Sequence, residues 1–195
     1  MTTLVIACGA LARELLDIVA VNQLDDITVE CLPARFHNTP KDITAAVSGR
    51  IERARGEYER IFVGYADCGT GGELDRLVAE EGIERLPGAH CYEFFATTPV
   101  FEAIQEVEMG TLYLTDYLVR HFDRIVINGL GLDRHPGLYD SYFAKYRRVV
   151  HLAQVDEPRL ERAGRDAARR LKLAYERKLV GYGALETSIV HLRSA

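Results

Sequence analysis

The stretch Thr3-Leu4-Val5-Ile6-Ala7 (TLVIA, residues 3–7) decides the fold class. It is a short, continuous apolar run, which is typical of a strand that is buried on both faces. Apolar residues then recur at helical spacing through Leu11, Leu15 and Ile18. A buried strand that leads directly into an amphipathic helix indicates an α/β protein with a parallel sheet.

The same alternation of strand and helix continues along the chain. Further strands are predicted at 27–32, 60–65, 83–86, 124–128, 148–152 and 187–192, and helices at 43–55, 73–81 and 158–179. This pattern predicts a three-layer, Rossmann-like α/β domain with a mostly parallel sheet. We expect one domain over residues 1–195. Within it, residues 94–122 have two helix-like pieces and a weak strand signal (TLYLTDYL), and we expect them to be a helical insertion over the site.

Length, composition and charge exclude several classes of protein. The chain has 195 residues, of which 48% are hydrophobic and 27% charged, as is usual for one globular domain. The net charge of −5 argues against a broad basic surface for nucleic acid or anionic lipid. The longest apolar run, residues 4–12, is about half the length that crosses a bilayer. We therefore expect neither a nucleic-acid partner nor a membrane partner.

The cysteines are Cys8, Cys31, Cys68 and Cys91. No Lys or Arg precedes the first apolar run, so the basic region of a secretory signal is missing and we expect a cytoplasmic protein. Cytoplasmic thiols stay reduced, and there they fill space, bind metal or catalyse. Cys31 lies inside the strand predicted at 27–32, and we expect it to be a core residue.

Five candidate metal ligands directly follow predicted strands. They are Cys8, His37, Cys68, His90 and Cys91. The loops at the carboxyl ends of parallel strands gather at one edge of the sheet, so we expect these side chains to meet there. Thiolates and imidazoles suit zinc, three thiolates also suit an iron–sulfur cluster with one open iron, and such soft ligands exclude magnesium and calcium. The alternative is that the cysteines only fill space.

The loop after the third predicted strand is rich in glycine. Gly69, Thr70, Gly71 and Gly72 would expose backbone N–H groups at a helix N-terminus, which suits an anionic part of a substrate. The same position would lower the pKa of the Cys68 thiol. The alternative is that these glycines only make a tight turn.

A second loop, after the strand predicted at 124–128, carries Asp133, Arg134 and His135. Asp133 is a candidate general base, Arg134 a candidate clamp for a carboxylate or phosphate, and His135 a candidate metal ligand or proton-transfer group. Alternatively, Asp133 caps the next helix. Glu14, shortly after Cys8, is a further candidate acid or base, with a solvated surface carboxylate as the alternative.

The predicted helix at 158–179 is basic on one side. Its apolar side consists of Leu160, Ala163, Ala167, Leu171 and Ala174. We interpret that side as packed and the charges as a solvated face. We expect the remaining histidines, His121, His151 and His191, to be structural.

Six blocks in order resemble a known family. They are ACGALARE (7–14), RFHNTP (35–40), YADCGTGGELD (65–75), GAHCYEFF (88–95), LYLTDYLVRHFD (112–123) and GLGLDRHP (129–136). Together they resemble the uncharacterised family known as domain of unknown function 1638, along nearly the whole chain. The family has no settled activity, but its members are associated with bacterial and archaeal one-carbon metabolism and with corrinoid-dependent methyltransferases. The resemblance therefore implies that the associated cofactor is a corrinoid. It also implies that a corrinoid protein or a methyltransferase is the partner.

The sequence as a whole predicts a metal-dependent enzyme, a transferase or lyase that uses zinc or iron on a small, anionic substrate. Methyl or other one-carbon transfer is the expected reaction class. One alternative is a carrier of metal or cofactor, or an assembly accessory of a corrinoid or iron enzyme, without turnover of its own. Others are an iron–sulfur lyase with an open iron, and metal-free thiol catalysis by Cys68 with His37 or His90 as base.

Overall fold

Two parallel sheets organise residues 2–193, which are the part of the chain that this computed structural model describes. The first sheet has the order β2-β1-β3-β4, with β1 (Thr3–Cys8), β2 (Ile27–Leu32), β3 (Arg60–Gly64) and β4 (Glu84–Arg85). The second has the order β5-β6-β7, with β5 (Thr111–Thr115), β6 (Arg148–Ala153) and β7 (Ala174–Leu179). The parallel sheets with their flanking helices confirm the predicted α/β class.

The two sheets belong to two compact units. The helices of the described chain are α1 (Ala12–Val21), α2 (Ile43–Ala54), α3 (Glu73–Glu81), α4 (Cys91–Ala96), α5 (Thr98–Val107), α6 (Asp116–Arg120), α7 (Leu138–Phe143), α8 (Pro158–Arg170) and α9 (Gly183–His191). The first unit comprises residues 2–94 and 182–193 and contains α1 to α3 and α9. The second comprises residues 95–181 and contains α5 to α8. That the chain is one domain stays a prediction.

Strand β1 is the centre of the first unit. Its residues Leu4, Val5, Ile6 and Ala7 are each 0% exposed, and it pairs with β2 on one side and β3 on the other. Successive side chains of a strand point to opposite faces, so burial of all four means that both faces of the sheet are covered. The run TLVIA therefore forms the buried parallel strand that its composition predicts.

The two faces of this sheet are covered by different helices. On one face, Leu4 and Ile6 pack in a cluster with Ile43, Val47 and Ile51, which follow one another at intervals of four along α2. Helix α3 adds Leu74 and Val78 to the same cluster. Helices α1 and α9 contact each other, and each has a buried side, with Leu15 and Ile18 in α1 and Leu185 and Ile189 in α9.

A fully buried polar network lies in the second unit. Asp116, just after β5, and His151, inside β6, are both 0% exposed, and His151 Nε2 donates to Asp116 Oδ1 at 2.8 Å. The hydroxyl of Tyr175 in β7 lies 3.0 Å from His151 Nδ1. Asp116 Oδ2 accepts backbone N–H bonds from Gln154 and Val155 at 3.1 and 3.0 Å. Since these groups satisfy one another across the three strands, the structural role predicted for His151 agrees with the network.

The prediction of a strand at 124–128 is wrong. Residues Asp123–Ile127 form a π-helix, in which the Asn128 N–H donates to the Asp123 carbonyl at 2.8 Å. Val126 is the buried member of this segment. The run of β-branched residues favoured a strand, but burial on a single side suits a helical turn at the surface.

Two predictions in the last third of the chain are also wrong. The helix predicted at 158–179 ends at Arg170, and Lys172 adopts a positive φ of 54° before the chain turns into β7. The strand predicted at 187–192 is the second half of α9, in which Leu185 and Ile189 are both 0% exposed. Their spacing of four is a helical signal that the β-branched pair Ile189-Val190 concealed.

Residues 94–122 differ from the predicted helical insertion. They contain α5 and α6 together with β5, whose residues pair in register with β6. The weak strand signal TLYLT is thus a true strand and the first of the second sheet. On α8, the predicted apolar side is largely confirmed by burial of Leu160, Ala167 and Leu171.

We predict that Gly64→Ala destabilises the first unit. A Cβ at Gly64 would lie 2.8 Å from the Ala7 Cβ, so β1 and β3 would have to separate. The expected loss is about 1–3 kcal/mol in the free energy of unfolding, measured by urea denaturation. The matched control is Gly49→Ala in α2, where the new Cβ meets Arg53 at an ordinary 3.5 Å and should stabilise by about 1 kcal/mol. Equal effects of the two variants would contradict the packing argument.

We further predict that Asp116→Ala destabilises the second unit by about 3–5 kcal/mol, because it leaves His151 and two backbone N–H groups without their buried acceptor. Asp156→Ala, which removes an exposed partner of Arg177, should cost about 1 kcal/mol or less. Chemical denaturation monitored by circular dichroism measures both. A loss below about 1 kcal/mol in Asp116→Ala would show that the network does not hold the sheet.

Candidate functional site

The carboxyl edge of the first sheet carries all five predicted metal ligands. Cys8 is the last residue of β1, and Cys68 follows β3. His37 lies in the 3-10 turn Ala34–Asn38 after β2, while His90 and Cys91 follow β4, with Cys91 opening α4. Each of the strands before them is confirmed, so the prediction that these loops share one edge is confirmed as well.

Three of the thiols form an electrostatic cluster. Burial, followed by the neighbouring Cys8, raises the pKa of the Cys68 thiol to about 11. Burial, then Cys68 and then Cys8, raises the pKa of Cys91 well above its usual value, and burial raises that of Cys8. Groups shift one another's pKa only at short range, so Cys8, Cys68 and Cys91 occupy the same part of the edge.

Tyr65, which is not among the residues that the sequence predicts for the site, belongs to the same cluster. Its side chain is 2% exposed, and within residues 2–193 its hydroxyl has no hydrogen-bond partner. Burial and then Cys8 raise the pKa of Tyr65, which places its hydroxyl close to the Cys8 thiol. The Ala10 N–H also donates to Cys8 Sγ, at 3.4 Å. The available signal was its place directly after a buried strand at the same sheet edge.

The two histidines form a second pair at this edge. Burial and then the charge of His90 lower the pKa of His37, which places the two imidazoles near each other. At neutral pH His37 is therefore neutral, which is the form that binds metals. The loops after β2 and β3 are in contact too, since a Cβ on Gly69 would lie 3.4 Å from Pro40 Cγ.

These side chains share an edge but do not form a coordination shell. Within residues 2–193, no three His, Cys, Asp or Glu side chains are placed so that they would hold a metal ion. The cysteines are free thiols, with Cys8, Cys68 and Cys91 half-buried.

The glycine-rich loop directs its donors at a carboxylate of its own chain. The backbone N–H groups of Gly69, Gly71 and Gly72 donate to Asp67 at 3.2, 3.3 and 2.9 Å, and the Thr70 hydroxyl donates to it at 2.6 Å. Thr70 and then these amides lower the pKa of Asp67. The donors predicted for a substrate anion are therefore engaged by Asp67, and the alternative of a tight turn describes the loop.

The pKa of the Cys68 thiol is raised, not lowered as the sequence predicts. The sequence predicts a lowered pKa from the N-terminus of the next helix, but α3 begins only at Glu73 and burial dominates. Cys68 has a positive φ of 50°, which a residue with a Cβ rarely adopts and which costs of order 1 kcal/mol. Its N–H donates to the Ala89 carbonyl at 2.8 Å, and that bond fixes the loop of Cys68 to the loop of Cys91.

Glu14 is buried rather than solvated. It is 3% exposed in α1, so the alternative of a surface carboxylate is wrong. Burial, Asp17 and then Glu14 raise the pKa of Tyr182, which places Glu14 close to that hydroxyl. A role for Glu14 as acid or base stays a prediction.

Asp133, Arg134 and His135 lie in the second unit, where they are exposed. They follow a π-helix instead of a strand, so the argument that placed them at the same sheet edge as the thiols is wrong. Arg134 Nε lies 3.8 Å from Asp133 Oδ1. Asp133 is not the cap of the next helix either, because α7 begins at Leu138 with Gly137 as its N-cap. Their chemical roles stay predictions.

Cys31 is exposed, and its assignment to the core is wrong. It lies in β2, which is at the edge of the sheet, so one of its sides has no neighbouring strand. Its partner in the register is Ala7, whereas Cys8 pairs with Leu32. Burial and then Cys8 raise the pKa of the Cys31 thiol to about 11, so Cys31 lies within electrostatic range of Cys8 although it is not among the predicted ligands.

We predict that iodoacetamide labels Cys68 slowly near pH 7.5 and that the rate increases about tenfold per pH unit towards pH 11. The thiolate is the reactive form, and a pKa raised to about 11 keeps Cys68 protonated at neutral pH. Mass spectrometry of labelled peptides measures the rate, with Cys68→Ser as the control for assignment. Rapid labelling confined to Cys68 at pH 7 would instead support metal-free thiol catalysis.

Comparison with known proteins identifies one relationship. No curated protein and no solved structure matches the chain. Within residues 2–193, none of the helices combines the length and the apolar character that crossing a bilayer takes. A family model matches residues 31–189, a span that includes His37, Cys68 and Cys91 and begins after Cys8. The chain belongs to the family described as protein of unknown function (DUF1638).

Proposed function

We propose that this protein is a metal-dependent enzyme whose zinc or iron is bound at the carboxyl edge of the first sheet. Cys8, Cys68 and Cys91 are the thiolate ligands, and His37 or His90 is the imidazole ligand. The observation that carries the proposal is that Cys8 raises the pKa of Cys68, and that both raise the pKa of Cys91, although the three thiols come from different parts of the chain.

The electrostatics of the cluster favours a metal over a free thiol nucleophile. Buried neighbouring thiols resist ionisation, because each new thiolate is desolvated and repelled by the others. A soft divalent cation neutralises these charges and binds thiolates at the same time. The neutral state of His37 suits a ligand equally well.

Binding requires the ligand side chains to turn towards a common point. Three thiolates and one imidazole fill a tetrahedral zinc site, and three thiolates alone leave one position for substrate. Tyr65 supports such a site, because its buried hydroxyl lies beside Cys8 and would donate a hydrogen bond to the Cys8 sulfur once that thiolate binds the metal. Hydrogen bonds of this kind orient a ligand and tune the charge on it.

The expected chemistry is the transfer of a methyl or other one-carbon group. A metal held by thiolates activates a substrate thiolate or polarises a carbonyl group. The substrate class is a small, anionic molecule, and a corrinoid protein or methyltransferase is the partner that the family context suggests. The free thiols support a reducing, cytoplasmic location.

A metal carrier or an assembly accessory is the second candidate. The absence of a preformed shell within residues 2–193 and the exposure of His90 favour it, because a carrier has to release its metal to a partner. A carrier would pass its metal to an apo-protein without turnover of a small molecule. An enzyme would retain the metal while it converts substrate.

We predict that the purified protein contains about one zinc or iron per chain by elemental analysis, and that Cys8→Ser or Cys68→Ser removes most of it. Cys31→Ser is the matched control and should keep the metal, because Cys31 is exposed on the edge strand β2 and is not one of the proposed ligands. Iron with a brown colour after anaerobic purification would assign an iron–sulfur cluster. Less than about 0.2 metal per chain, unchanged in Cys8→Ser, would contradict the proposal.

A further inference from the structure

A cavity of about 350 Å³ lies in the second unit between α8 and the segment formed by α6 and the π-helix. Its polar lining consists of Arg120, His121, Asp123, Arg124, Asp166 and Arg170. The volume is that of a site for a small ligand. None of these residues takes part in the thiol cluster, so this cavity is independent of the proposed metal site.

Both carboxylates of the lining are already paired. Asp123 accepts a hydrogen bond from Arg170 of α8. Asp166 accepts one from Arg169, one helical turn further along the same helix, at 2.6 Å. The acidic groups of the cavity are therefore neutralised by two arginines.

The other two arginines of the lining are Arg120 and Arg124, and most of their N–H donors make no hydrogen bond within the described part of the chain. Arg120 Nη2 lies 3.8 Å from Glu157 Oε2, which is longer than a hydrogen bond. Arg124 Nη2 donates to the Tyr117 hydroxyl at 2.9 Å, and in the described part of the chain no carboxylate pairs with it. The lining thus carries guanidinium charge beyond what its carboxylates balance.

The pKa of His121 is affected by this positive charge. Burial, then Arg124 and then Arg120, lower its pKa, so both guanidinium groups act on the imidazole. The His121 ring is fixed edge-on against Tyr117, with ring centroids 4.6 Å apart. Neutral His121 still has one N–H to donate.

The π-helix places Arg124 in this arrangement. Arg124 lies in the first turn of this segment, whose i to i+5 bonding is seen from the Asn128 N–H to the Asp123 carbonyl, and residues 119–124 line the cavity. Such turns are rare and occur frequently at functional sites. The expectation of a structural His121 did not anticipate this site.

We propose that this cavity binds the phosphate group of a small molecule, with Arg120 and Arg124 as its principal ligands. Two guanidinium forks match the charge and the several oxygens of a phosphate dianion. A carboxylate has only two oxygens and one negative charge, so it would use fewer of the donors of these two guanidinium groups. His121 is placed to donate a further hydrogen bond.

The test is calorimetric titration of the full chain with inorganic phosphate at constant ionic strength, with acetate as the parallel titrant. We expect saturable binding of one phosphate per chain and no comparable binding of acetate. Arg124→Gln should weaken phosphate at least tenfold, and Arg120→Gln provides a second variant, with folding of both checked by circular dichroism.

The matched control is Arg162→Gln, which removes an exposed charge from α8 outside the lining of the cavity. It should leave phosphate affinity unchanged. Equal weakening by Arg162→Gln and Arg124→Gln would show a general effect of surface charge and overturn the site. Absence of saturable binding up to about 10 mM phosphate, or binding of acetate in its place, would overturn the assignment to phosphate.

Discussion

The first unit depends on β1 being hydrogen-bonded along both edges and covered on both faces. Leu4 to Ala7 are completely buried, and close packing against β3 requires Gly64 opposite Ala7. Because the neighbouring strands are all parallel to β1, the chain returns through helices and every loop after a strand emerges at the same edge. Residues as distant in sequence as Cys8 and Cys91 therefore become neighbours.

That proximity has an electrostatic consequence. Burial raises the pKa of Cys8, Cys68 and Cys91, Cys8 adds to the effect on Cys68, and backbone hydrogen bonds offset these increases only in part. The buried Tyr65 lies beside Cys8 and belongs to the same cluster. A cluster that resists ionisation in the absence of a cation but is made of good metal ligands is the physical basis of the proposed metal site.

In the second unit, in contrast to the thiol cluster, the buried ionisable groups are paired with each other. Asp116 and His151 are completely buried, but they are hydrogen-bonded to each other, and Asp116 also accepts from the backbone. This network therefore stabilises the sheet and needs no ligand to complete it. Arg120 and Arg124 line an open cavity and lack matching carboxylates at hydrogen-bond distance in the described chain. This contrast separates a structural polar cluster from a candidate binding site.

The sequence by itself determined the elements of residues 3–86 and the placement of the thiols after their strands, because apolar periodicity reports which local conformation buries a side chain. Only the tertiary structure decided that residues 123–127 form a π-helix, that residues 174–179 form a strand and that residues 187–191 belong to a helix. It also decided that Cys31 lies exposed on an edge strand and that the glycine-loop amides bind Asp67. The physical reason is that a strand's position in its sheet and the partner of a donor depend on residues far away in sequence. A local pattern contains no record of them.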